Sequence, residues 1–150
     1  MSKMSKSILI IITLLLLGGC SGALDDYPDP ESVYLATFNT PVPATVKNLR
    51  ATGHAFGDSS ACYLRFDATL ATVNTLTGNS FTPITAAAFK RDTLGAGISG
   101  PTPNWWKPST TNSTTYFNST IFHPGFFSGS AYMSHDSVNN ATYLYWDGCD

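Results

Sequence analysis

Basic side chains are scarce here and nowhere clustered: eight Lys and Arg stand against ten Asp and Glu in 150 residues, for a formal charge of −2. No stretch has the density of cations needed to neutralise a row of phosphates, so a nucleic-acid partner is excluded on ordinary electrostatic grounds. Histidine and cysteine number three each and are scattered. A zinc site needs three or four ligands at recognised spacings, so no metal is expected, and no cofactor either. There is no nucleophile elbow and no internal repeat. The longest apolar run, residues 8–17, is interrupted only by Thr13. It falls short of the roughly 20 apolar residues that a membrane-spanning helix needs.

That run nevertheless has a use. Lys3 and Lys6 precede it and Leu17-Gly18-Gly19-Cys20 closes it, giving the charged start, short apolar centre and small-residue exit of an export signal. The four closing residues resemble the lipobox of bacterial lipoproteins. The resemblance implies a signal peptide over residues 1–19, lipidation of Cys20 as the first mature residue, and a multiply acylated anchor, which holds more firmly than a single chain. The membrane is then a partner through Cys20. Ser21, directly after the cysteine, resembles an outer-membrane sorting pattern, and the low lysine content favours a Gram-negative periplasm. The expected location is the cell envelope, at the outer membrane and facing the periplasm. Residues 20–30, small, acidic and proline-bearing, read as a flexible tether. Residues 31–150 are expected to form one globular domain. Without the signal, 131 residues remain, with six basic and ten acidic side chains and a charge near −4.

The expected fold is α+β: a small antiparallel sheet, one or two short helices and a C-terminal β-hairpin. Residues 31–43 read as a short strand or single turn stopped by Pro41 and Pro43. Residues 44–56 read as a strand bending at Gly53. In residues 61–67, Cys62, Leu64 and Phe66 alternate with Tyr63, Arg65 and Asp67, as in a half-buried strand. Asp67 is then placed to cap a short helix carrying Leu70, Val73 and Leu76, with Gly78 at its left-handed end. Thr82-Pro83 looks like a second helix start, ahead of Ala86 to Ala88 and Phe89 and ending near Arg91. Glycine and proline make residues 94–103 a loop. The hairpin comprises residues 131–135 and 141–147, turning at residues 136–140, where Asn139 and Asn140 can supply positive φ. Tyr143 and Tyr145 fall on one face and Leu144 and Trp146 on the other, as in a central strand covered on both sides.

With Cys20 lipidated, Cys62 and Cys149 remain, and an oxidising compartment predicts a disulfide between them. It would close a loop of about 90 residues and contribute roughly 4 to 5 kcal/mol on the chain-entropy estimate. His54, Asp58, Ser59 and Ser60 lie close in sequence and invite a small-hydrolase reading, with serine as nucleophile and histidine as base. Capping of a loop by Asp58 and Ser59 explains them as well. His123 and His135 with Asp136 are a weaker set. No catalytic residue is therefore assigned, and a non-enzyme is expected. The most distinctive side chains are Trp105 and Trp106, followed by Lys107 and Pro108. Neighbours on an extended segment point to opposite sides, so one indole can be buried while the other faces outward. Trp105, Trp106, Lys107 and Tyr116, with Phe117 beside it, are candidates for an aromatic platform that takes a sugar ring or a partner's apolar anchor. Both indoles serving as core anchors is the competing reading.

Residues 57–66, the Trp105-Trp106-Lys107-Pro108 stretch and residues 143–150 together resemble a small bacterial domain of unknown function found in exported proteins. That likeness implies no activity. A second, shorter one, Ser128-Gly129-Ser130-Ala131-Tyr132, is similar to a loop of the membrane-bound C-type lysozyme inhibitors. It implies a β-barrel that inhibits a cell-wall lytic enzyme. The leading expectation is a membrane-anchored envelope lipoprotein whose domain binds or supports an envelope protein or glycan.

Overall fold

The computed structural model describes residues 25–26, 29–56, 59–93, 102–122, 124 and 128–149; for residues 25, 26, 55 and 56 it describes the backbone. The signal stretch with Cys20 lies outside the described residues, as do Asp58 and His123. The fold is α+β. Seven strands form one antiparallel sheet in the order β1-β2-β3-β7-β6-β5-β4. They are β1 (Asp25–Asp26), β2 (Lys47–Phe56), β3 (Ser59–Asp67), β4 (Thr82–Ile84), β5 (Thr114–Ser119), β6 (Ser128–Asp136) and β7 (Ala141–Cys149). Among the described residues three helices accompany them, where one or two were expected: α1 (Pro30–Phe38), α2 (Leu70–Leu76) and α3 (Ala86–Thr93). Among the described residues, no helix is long and apolar enough to cross a membrane.

The first helix replaces the strand or turn expected over residues 31–43. Asp29 adopts an extended conformation and accepts hydrogen bonds from the Ser32 amide and hydroxyl, both at 2.8 Å. Pro30 occupies the first helical position, where its missing N–H costs nothing. Asn39, at φ 51°, closes the helix by donating its amide to the Leu35 carbonyl at 2.8 Å. Part of the stretch expected to be a flexible tether is structured. Asp25 and Asp26 pair with Ala55 and His54 at the sheet edge, and Asp29 and Pro30 belong to the helix start.

In β2 the irregularity falls at Asn48 rather than at Gly53. The pairing with β3 shifts by one residue between Lys47 and Arg50, and Asn48 sits at φ 51°. Gly53 stays in register opposite Cys62. The cap of α2 is Thr69, whose hydroxyl accepts from the Thr72 amide at 3.2 Å. Asp67 is instead held by the Asn48 amide group and by the Arg65 guanidinium at 2.7 Å. Gly78, at φ 60°, follows the Thr77 cap as expected. Thr82 and Pro83 belong to β4, paired on β5, and α3 begins later, where the Thr85 hydroxyl accepts from the Ala88 amide at 3.1 Å.

Both faces of the sheet are buried. On one, Cys62, Leu64, Phe66, Met133, Leu144 and Trp146 pack against Val33 and Tyr34 of α1 and Val73 of α2. On the other, Ala61, Tyr63 and Tyr145 pack against Phe89 of α3 and Trp106. Trp146 fits because its cross-strand row is otherwise small: Gly53, Cys62, Ala131 and Ser119 share it. Its indole N–H donates to the Thr37 hydroxyl at 3.0 Å, and that hydroxyl donates to the Val33 carbonyl at 2.8 Å, so the central strand is hydrogen-bonded to α1.

The same row forbids the expected disulfide. Cys62 lies opposite Trp146, whereas Cys149 lies opposite Ser59. Three residues of strand separate the two positions, roughly 10 Å, and an odd offset puts the side chains on opposite faces. Bridging requires Cα atoms within about 7 Å. Both thiols are free; burial pushes that of Cys62 well up, and the Cys149 sulfur lies 3.3 Å from the Ser59 hydroxyl.

The terminal hairpin turns as expected, with Asn140 at φ 52°. Asp136 accepts from the Asn139 side chain at 2.7 Å, the Ser113 hydroxyl at 2.8 Å and the Val138 amide at 3.0 Å, which hold its carboxyl down at about 2. The buried His135 imidazole bonds Thr142 through Nδ1 at 3.0 Å; desolvation lowers its pKa, and the neighbouring Asp136 opposes this. The resemblance-derived loop, residues 128–132, is instead part of β6. Gly129 faces Gly148 there because a Cβ would run into the β7 backbone.

Three outcomes are expected. Replacing Thr37 with Val removes the acceptor for a buried indole N–H and should cost about 1 to 3 kcal/mol in urea unfolding, more than a Thr→Val change at an exposed helix site. The folded state favours neutral His135, so the unfolded chain takes up the proton first. Stability should therefore fall as pH drops below about 6.5, and His135→Gln should flatten that slope. The Asp136 contribution is lost separately, between about pH 4 and 2.

Candidate functional site

The distinctive surface is built on the face opposite α1. Two rows of cross-strand neighbours floor it. One runs Arg50, Arg65, Tyr143, Ser134, Tyr116 and Ile84 across six strands. The next begins Thr52, Tyr63, Tyr145, Tyr132. Directly opposed side chains in a sheet lie about 5 Å apart, so these rows are continuous surfaces. In the second, the Tyr63 and Tyr145 rings are 4.9 Å apart and Tyr145 stacks on Tyr132 at 6.3 Å.

The segment from Pro103 lays the two tryptophans over this floor. The Trp106 amide donates to the Pro103 carbonyl at 2.9 Å, closing a turn. Trp106 is 7% exposed and meets Tyr63 edge-on at 4.9 Å and Tyr143 at 5.5 Å. Trp105 is half-buried and touches Trp106 at 6.3 Å. One indole is thus inward and the other partly outward, but a turn at Asn104 and Trp105 produces this division where an extended segment was expected, and the two rings stay in contact.

Trp106 stands between two hollows. The first, about 580 Å³, lies between α3 and residues 106–116. Phe89, Trp106 and Tyr116 supply its apolar walls, and the Phe89 and Tyr116 rings are 5.2 Å apart. Ser109, Thr110, Thr111, Asn112 and Thr114 supply hydroxyls and an amide, and Lys90 is its one cation among the described residues. Tyr116 is fixed by donating to the Ser109 carbonyl at 2.9 Å, and burial raises its phenol pKa. Thr111 bonds the Ser109, Ser113 and Thr114 hydroxyls at 3.1, 2.7 and 3.3 Å, bracing the rim. The second hollow, about 840 Å³, is lined by Asn48, Leu49, Arg50, Arg65, Asn104, Trp105, Lys107 and Tyr143.

The expected platform is therefore divided. Trp106 and Tyr116 line one hollow, and Trp105 and Lys107 the other. Phe117 leaves the set, because it alternates with Tyr116 and packs on the opposite face of the sheet. The residues that sequence reasoning missed are Phe89, Lys90, Arg50, Arg65 and Tyr143. Of the hydrolase candidates, His54 lies opposite Ala61, so Ser59 is on its face of the sheet and Ser60 on the other. None of His54, Ser59 and Ser60 lines either hollow. Among the described residues, no three His, Cys, Asp or Glu side chains gather as a metal site would require. No protein-family model matches the chain, and no curated protein or solved structure is significantly similar to it.

The two indoles should differ in what their removal costs. Trp106→Ala should lower unfolding free energy by about 3 to 5 kcal/mol. Trp105→Ala should cost about 1 kcal/mol or less, as for a partly exposed side chain. Denaturant titration of both variants checks this, and equal losses would contradict the assignment.

Proposed function

We propose that this chain is a lipoprotein of the bacterial cell envelope, held at the outer membrane through lipidated Cys20, and that its domain is a non-enzymatic module which binds a neutral sugar ring. The observation that carries the binding reading is the hollow walled by Phe89, Trp106 and Tyr116 and rimmed by hydroxyls. Aromatic faces cover the apolar faces of a sugar, and Ser and Thr hydroxyls can both donate to and accept from its hydroxyl groups. Its size is that of small-molecule sites in general, roughly 300 to 1,000 Å³. What supports the anchor is Leu17-Gly18-Gly19-Cys20 behind a short apolar run.

The two halves are tested separately. Cys20→Ala should release the chain from membranes or leave the precursor uncut; normal processing with continued membrane fractionation would refute the anchor. For the binding reading, neutral N-acetylhexosamine oligosaccharides should bind saturably in calorimetry. Ala87→Trp, which places a large side chain in the hollow from an exposed helix position, should abolish that binding with the thermal midpoint unchanged.

A further inference from the structure

The second hollow has a different chemistry, and we infer that it is an independent site for an acidic saccharide, a sugar ring bearing a carboxylate. Three of the six cations that follow Cys20, namely Arg50, Arg65 and Lys107, line it, although the chain after Cys20 is net acidic. Arg50 and Arg65 lie directly opposite each other on β2 and β3. Like charges in that position repel and destabilise a sheet, so the pairing asks for an anion. Asp67 meets part of the need, through its 2.7 Å ion pair with Arg65, whose guanidinium also donates to the Asn48 carbonyl at 3.0 Å. Arg50 and Lys107 are exposed and, among the described residues, form no ion pair.

A carboxylate seated between Arg50 and Lys107 would take charge-assisted hydrogen bonds, and the forked guanidinium suits two parallel ones. The walls beside these cations are the half-buried Trp105 and Tyr143, with the amides of Asn48 and Asn104 nearby. An indole face takes the apolar face of a sugar ring, and amides take its hydroxyls. Bare inorganic anions would leave those aromatic walls unused. The inference goes beyond the neutral-sugar hollow, from which Trp106 separates this one.

The test uses the full purified chain at low ionic strength, with trigalacturonate as the acidic probe, trigalactose as its neutral counterpart and triglutamate as an acidic probe without rings. Trigalacturonate should bind saturably and should weaken as salt is raised. The Arg50→Gln/Lys107→Gln double variant should lose at least about tenfold in affinity, and Trp105→Ala should weaken binding also. Ala87→Trp should leave trigalacturonate binding intact while removing that of the neutral N-acetylhexosamine oligomer, so failure of one site is distinguishable from failure of the other. The inference is overturned if trigalacturonate does not bind, if the double variant binds it as well as the parent does, if trigalactose binds equally, or if triglutamate does.

Discussion

The pairing of β3 with β7 is the constraint on which everything else rests. Nine consecutive residue pairs join them in unbroken antiparallel register. Both strands are buried on both faces, so their backbone groups depend on one another and on their outer neighbours for hydrogen bonds. A sheet centre of this kind must be covered twice. Cover on one side comes from α1 and α2, which close over Phe66, Leu144 and Trp146. On the other side it comes from α3 and the segment carrying the tryptophans, closing over Tyr63 and Tyr145. The hollows exist because that second cover is incomplete: Trp106 reaches the sheet, and space remains on each side of it.

Parts of this were legible without coordinates. Alternation in residues 61–67 marked a strand, though as a half-buried one where Tyr63 on its second face is buried as well, and residues 143–146 marked a strand covered on both sides. The first helix was not legible, since its apolar residues do not gather into a stripe: Leu35 is exposed while Thr37 is buried. Thr82-Pro83 misled for a related reason. A threonine before a proline suits a helix start, yet proline is equally at home on a short edge strand, and only pairing with Asn118 and Phe117 decides between them. The cysteine argument failed on parity. Counting cysteines cannot reveal that one sits an odd number of rungs from the other.

For the candidate site, Trp105 and Trp106 stood out by rarity, but the turn that seats them and keeps their rings in contact was not legible. Arg50, Arg65 and Tyr143 did not stand out, because 15 and 78 residues separate them along the chain and only register makes them neighbours. That register depends on the extra residue at Asn48. Were β2 to continue regularly from Lys47 opposite Asp67, Leu49 rather than Arg50 would face Arg65. The left-handed asparagine at φ 51° thus determines where a charge appears, which no propensity or composition could foretell.

The outer strands of the sheet are its two shortest: β1 has two residues, and β4 has three with Pro83 in the middle. A proline offers no N–H, so β4 presents almost no ladder of open hydrogen-bonding groups to another chain, whereas β1 covers β2 only at His54 and Ala55. Copies of this domain brought close together, as on any crowded surface, would find little to zip onto along the β4 edge. What such a crowd would meet there is the broad side of each molecule, where the two hollows lie.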